Sequence, residues 1–226
     1  MKKTVITLAC IAALALSLAG CGRPRAAETA APAAEPSAAA EGQLPAEGSA
    51  VSPEAAAAPA RQNGERFETV IMLEGMEETV QYEHIKNDSL GLEMDYDYES
   101  FRRYSTAERE RFVSVWDHAE NPENYLDVIY CPEDAETVSA RISGELSATY
   151  DIITESYMLD RAGSCTRIEA SVLKGTNTMA QQLQQVYIIP ASDGCIVATA
   201  HCYIAESEGF FRRFSYMVKT ISPLGN

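Results

Sequence analysis

Residues 22–64 hold 16 Ala and 6 of the chain's 10 Pro, with Glu, Gly and Ser making up most of the rest. No aromatic residue occurs there, and Leu44 and Val51 are its only large aliphatics. Such a segment cannot bury enough apolar area to offset the entropy of ordering its backbone, and its prolines interrupt any helix the alanines would start. It is expected to be a disordered tether with a mean span of about 35 to 40 Å. Folding is therefore assigned to 65–226, a length that suits one domain with one core.

The first 20 residues read differently. Lys2 and Lys3 precede an apolar run from about Val5 to Leu18, the charged and hydrophobic regions of an export signal. The run is shorter than the roughly 20 apolar residues a membrane-spanning helix needs. It ends Leu18-Ala19-Gly20-Cys21, which resembles the lipobox of bacterial lipoproteins in spacing and residue types. That resemblance implies cleavage just before Cys21 and a diacylglyceryl thioether on its sulfur, leaving 21–64 as the lipidated tether. An ordinary secretory signal that happens to contain Cys is the alternative. Lipid on Cys21 would place the chain outside the cytoplasm, with the membrane as its first partner.

Charge narrows the remaining partners. The chain has 33 acids against 18 Lys and Arg, a net charge of −15, and 65–226 alone has 28 acids and 13 bases. Affinity for phosphate backbones comes mainly from Lys and Arg displacing counterions, so nucleic acid is excluded as a partner and an anionic lipid surface is disfavoured.

Within 65–226 the apolar pattern has mostly a period of two. Phe67 to Leu73 and Thr79 to Ile85 flank a turn at Glu74-Gly75, and Leu90 to Tyr98 alternates apolar residues with acids. Arg111 to Trp116 and Tyr125 to Cys131 form a second pair of strands. Pro132-Glu133-Asp134 then opens a helix with Ala135, Val138, Ile142 and Leu146 at helical spacing. Tyr150 to Leu159 pairs with Cys165 to Leu173, and Gln185 to Pro190 with Cys195 to Ile204. A last helix over about Glu206 to Ile221 carries Phe210, Phe214, Met217 and Ile221 on one stripe. The expected class is α+β, a mostly antiparallel sheet packed with two amphipathic helices.

This order of hairpins, with a helix from Pro132 and a closing helix ending Lys219-Thr220-Ile221-Ser222, resembles the PsbP-like fold, whose members include DcrB-like bacterial lipoproteins. Leu73 to Val80 is also similar to a stretch of Firmicutes lipoproteins. The resemblance covers most of 67–222 and implies a non-catalytic binding or assembly module. It assigns no active-site residue.

Candidate chemistry is sparse. His84, His118 and His201 are the only imidazoles. His201 and Cys202 are strand neighbours pointing to opposite faces, so they cannot form a dyad. No nucleophile elbow, zinc-protease helix, phosphate loop or Cys-x-x-Cys occurs, and no catalytic residue, metal or cofactor is assigned. Glu93, Asp95, Asp97 and Glu99 would line one strand face, either as a solvated outer face partly neutralised by Arg102 and Arg103 or as a weak cation site. The run from Asp95 lacks the glycine and terminal Glu of an EF-hand. Among Cys131, Cys165, Cys195 and Cys202, a bridge between Cys165 and Cys195 is preferred on strand parity, then Cys131 to Cys165, with free buried thiols as the alternative. The functional expectation is an extracytoplasmic module that binds an envelope protein or small ligand. A hydrolase acting on cell-wall or secreted substrates is the alternative.

Overall fold

A computed structural model of the chain describes residues 61–118, 120 and 122–225. The export signal, Cys21 and all of the tether before Arg61 lie outside the described residues.

The first hairpin follows from its turn. Glu74 and Gly75 both take positive φ, 50° and 82°, as a two-residue hairpin turn demands. Strand β1 (Arg66–Leu73) thus returns directly as β2 (Met76–Asn87). Strand β3 (Leu92–Asp97) pairs with β2 on its other edge. The two-residue β11 (Ser222–Pro223) covers β3, which completes a four-stranded antiparallel sheet.

The second sheet has seven strands in the order β4-β5-β6-β10-β9-β8-β7, every neighbour antiparallel. Strands β4 (Phe101–Ser105), β5 (Glu110–Ser114) and β6 (Tyr125–Cys131) run as a meander. Helix α1 (Ala135–Leu146) then carries the chain to the far edge. From there β7 (Tyr150–Leu159), β8 (Gly163–Leu173), β9 (Thr178–Ala191) and β10 (Gly194–Tyr203) step back until β10 pairs with β6. A 3-10 turn, Ile204–Glu206, leads into α2 (Ser207–Lys219).

The expected α+β class and every expected hairpin are present, but the strands divide between two sheets rather than one, and two elements differ from expectation. Helix α1 begins at Ala135 rather than Pro132, because Asp134 is its cap: its side chain accepts from the Thr137 N–H at 2.8 Å. Strand β4 was not anticipated, since its Arg102-Arg103-Tyr104 centre has no apolar alternation.

Both faces of the larger sheet are covered. Val138 of α1 packs on Ile168, Val186, Ile188, Cys195 and Val197. The opposite face carries Phe112, Leu126, Tyr187, Ile189, Ile196 and Ala198, in one cluster with Ile85, Leu92 and Met94 of the smaller sheet and Phe214, Met217 and Val218 of α2. The order is helix, seven-stranded sheet, then a layer shared by α2 and the smaller sheet.

Two positions on β10 test this packing. Gly194 has φ of 153°, and a Cβ there would lie 2.2 Å from the Cys131 carbonyl oxygen and 3.1 Å from Pro132 Cα. Both obstacles are backbone and cannot turn aside. Gly194→Ala is expected to destabilise the protein by about 2 to 4 kcal/mol in urea unfolding, whereas a change below about 0.5 kcal/mol would refute the close approach.

His201 stacks on Tyr125 with centroids 4.4 Å apart. Burial lowers its pKa to about 4, with Asp127 acting upward and Arg111 downward. An unfolded imidazole titrates near 6.5, so between about pH 6.5 and 4 only the unfolded state takes up the proton. The contribution to stability is full above that window and is lost as pH falls through it. Wild type should lose about 2 to 3 kcal/mol relative to His201→Phe across the window, and parallel stability curves would refute this.

Candidate functional site

Where β5 ends, the chain turns sharply and exposes its only tryptophan. The Trp116 N–H donates to Ser114 Oγ at 3.2 Å, while the Arg102 guanidinium donates to the carbonyls of Val115 (2.9 Å) and Asp117 (2.7 Å). Four further bonds fix the returning chain. Asp117 Oδ2 accepts from the N–H groups of Glu123 (2.9 Å) and Asn124 (2.6 Å), and the fully buried Asn124 accepts from the Tyr203 N–H and donates to Glu206. Asn124 thereby ties the loop before β6 to the turn before α2.

The result is an open cleft of about 370 Å³ lined by Ser114, Trp116, Asp117, Glu206, Gly209, Phe210 and Arg213. Trp116 is 69% exposed and meets Phe210 edge-on with centroids 6.2 Å apart. Phe210 is backed by Phe101 and Phe214, so the aromatic floor continues into the core. Gly209 has open space above its Cα, which lets the α2 backbone form part of the wall. Asp117, Glu206 and Arg213 supply the polar rim. An apolar shelf with a few fixed polar groups can grip one apolar side chain and orient what flanks it.

The acidic row lies elsewhere and is not a solvated face. Asp95 and Asp97 are each 2% exposed. Asp95 is bound by His84 Nδ1 at 2.6 Å and by Arg161, with Arg61 at 3.6 Å. Asp97 accepts from Arg213 at 2.8 Å and from the N–H groups of Glu99 and Ser100, which ends the strand, so Glu99 stands exposed in the following turn. Glu93 is partly exposed and 3.7 Å from His84 Nε2.

The neutralising cations are thus Arg61, Arg161 and Arg213 rather than Arg102 and Arg103. Arg102 holds the cleft loop, and Arg103 grips the fully buried Glu110, which Asn87 and Ser105 also bind. A cation between Asp95 and Asp97 would have to displace guanidinium groups already seated there. Among the described residues, no group of three or more His, Cys, Asp and Glu has metal-holding geometry.

The histidines are held apart. His84 is 3% exposed between two carboxylates, His201 is packed under Tyr125, and His118 is exposed in the cleft loop. The cysteines also depart from the preferred pairing. Cys165 lies in the cluster with α2 and Cys195 in the cluster with α1, on opposite faces of the sheet and on strands separated by β9. All four thiols are free. Cys195 stands directly across from Cys131.

The cleft was not read from the sequence. Its one signal was a lone Trp at a strand end before a polar loop, while Phe210 was expected only to cover a sheet.

No protein-family model matches the chain, and no curated protein sequence matches it. Two solved structures share the general arrangement. The solution structure of cyanobacterial PsbP (CyanoP) from Synechocystis sp. PCC 6803 covers 63% of this chain and 92% of its own, at 12% identity and a TM-score of 0.44. The crystal structure of LpqN, involved in cell envelope biogenesis of Mycobacterium tuberculosis, covers 70% and 90%, at 13% identity and a TM-score of 0.38. The similarity to PsbP is one of fold alone.

Proposed function

We propose that the chain is a lipid-anchored extracytoplasmic lipoprotein whose folded domain is a non-catalytic binding module. Cys21 carries the lipid, the Ala- and Pro-rich segment holds the domain off the membrane, and the Trp116 cleft engages an envelope protein. The observation that carries the reading is Trp116 itself, a large aromatic left 69% exposed over a shelf continuous with the core. Exposed aromatics above a packed pocket are the usual anchors of protein recognition. The net charge of −15 adds that the partner presents basic residues around its apolar anchor.

Hydrolysis is disfavoured by the same placements. A general base must reach its substrate, yet His84 is enclosed between Asp95 and Glu93 and His201 is covered by Tyr125, which leaves His118 of the cleft loop as the one exposed imidazole.

Two measurements test the two halves of the reading. Cells fed an alkyne-bearing palmitate should label the wild-type chain and not Cys21→Ser, and an unlabelled wild type would refute the lipid anchor. A photo-crosslinking amino acid in place of Trp116 should capture a discrete envelope protein in intact cells, while the same group at Met158, 65% exposed on β7, should not. Equal capture at the two positions, or none at Trp116, would refute the cleft as the contact.

A further inference from the structure

Cys131 and Cys195 are register partners on β6 and β10, the two strands joined at the middle of the larger sheet. Side chains directly opposite on antiparallel strands project to the same face, with Cβ atoms about 4.5 to 5.5 Å apart. Opposed α-carbons on antiparallel strands lie about 4.5 to 5.5 Å apart, inside the roughly 4.4 to 6.8 Å that a disulfide spans, and the Cβ atoms need close by only about 1 Å to bridge. The neighbouring residue draws the strands closer still, because Gly194 lies against the Cys131 carbonyl with no room for a Cβ. Cys131 is half-buried and Cys195 fully buried, so one thiol is reachable and the other waits behind it.

We propose that Cys131 and Cys195 form a cross-strand disulfide by exchange with an external disulfide, either a small one such as oxidised glutathione or that of an oxidoreductase. The Cys131 thiolate attacks one sulfur of the donor, which forms a mixed disulfide and releases the first donor thiol. The Cys195 sulfur then displaces the second donor sulfur. Two S–H bonds and the donor S–S bond are replaced by one S–S bond in the protein and two donor thiols, which carry away the two protons. The two cysteines are oxidised and the donor is reduced by the same two electrons.

Burial pushes both thiols up, Cys195 to about 11, while Arg141 on α1 works against burial at Cys131. Attack requires the thiolate, so bridging is slow near neutrality and quickens at alkaline pH. Cys165 and Cys202 are buried on the other face, beyond reach of this pair. The geometry does not depend on where the protein resides. Only the filling of the bridge in the cell rests on the extracytoplasmic reading, which palmitate labelling tests separately.

The test uses the full chain, purified in mild detergent, treated with oxidised glutathione at mildly alkaline pH and alkylated under denaturing conditions. Trypsin should then give peptide 112–141 joined to 175–212 in a monomer lighter by two hydrogens, with Cys165 alkylated. The joined form should melt about 5 to 15 °C higher than the reduced form. Cys202→Ala should keep the link, while Cys195→Ser should lose it and retain glutathione on Cys131. Alkylation of both Cys131 and Cys195 in treated wild type, a link that survives Cys195→Ser, or a bridge that lowers the melting temperature would overturn the proposal.

Discussion

Two buried carboxylates decide how this domain is assembled. Asp95 and Asp97 alternate with Met94 and Tyr96 on β3, so the apolar side of that strand enters the core while its acids enter a second interior layer. An unpaired carboxylate there would be costly, and each must be met by cations from elsewhere. Asp95 draws in Arg161 from the β7 to β8 turn and Arg61 from ahead of β1, and Asp97 draws in Arg213 from α2. Thr220, just past α2, accepts from the Asp95 N–H at 2.8 Å, and the Asp160 N–H donates to the Lys219 carbonyl. The small sheet, the last helix and the edge of the large sheet are thereby held in one arrangement. Ion pairs of this kind are poor sources of net stability against apolar replacements, but they penalise every alternative docking in which a carboxylate is buried alone.

The same carboxylates mark where sequence reasoning stops. Alternation located β3 and the adjoining hairpins, because period two reports that two faces differ. It does not report which neighbour covers the polar face, and an acidic face packed against arginines has the same spelling as one packed against water. The arginines that neutralise Asp95 and Asp97 lie 34 or more positions away in the chain, whereas the nearby Arg102 and Arg103 serve other partners. Strand β4 escaped notice for a related reason: its central residues are polar and only Phe101 is buried.

The cysteine pairing failed on a more instructive point. Within each strand parity holds, Ile168 facing away from Cys165 and Ile196 away from Cys195, yet the two isoleucines do not share a face. Ile168 packs under α1 and Ile196 under the α2 layer. In a sheet covered on both sides, burial no longer identifies a face, so a parity argument within one strand cannot be carried to the next without the register. The register places Cys131, not Cys165, opposite Cys195.

Strand β10 connects the two ends at which chemistry is proposed. It begins beside Cys131 and leads through Tyr203 into the turn that supplies Glu206 to the cleft, 10 residues or about 30 Å of central strand. Along that length Ala198, Ala200 and Cys202 are buried against the layer containing α2, and His201 is locked on Tyr125. A strand paired on both edges and packed on both faces has little freedom to shift, so a bridge at one end would stiffen the scaffold rather than reshape the cleft. Recognition at Trp116 then depends on what the partner brings: an apolar group for the shelf and positive charge for the surrounding acids. Charge felt across water fades within about 8 to 10 Å at ordinary ionic strength, so the acidity governs how fast a basic partner arrives, and the aromatic shelf governs how long it stays.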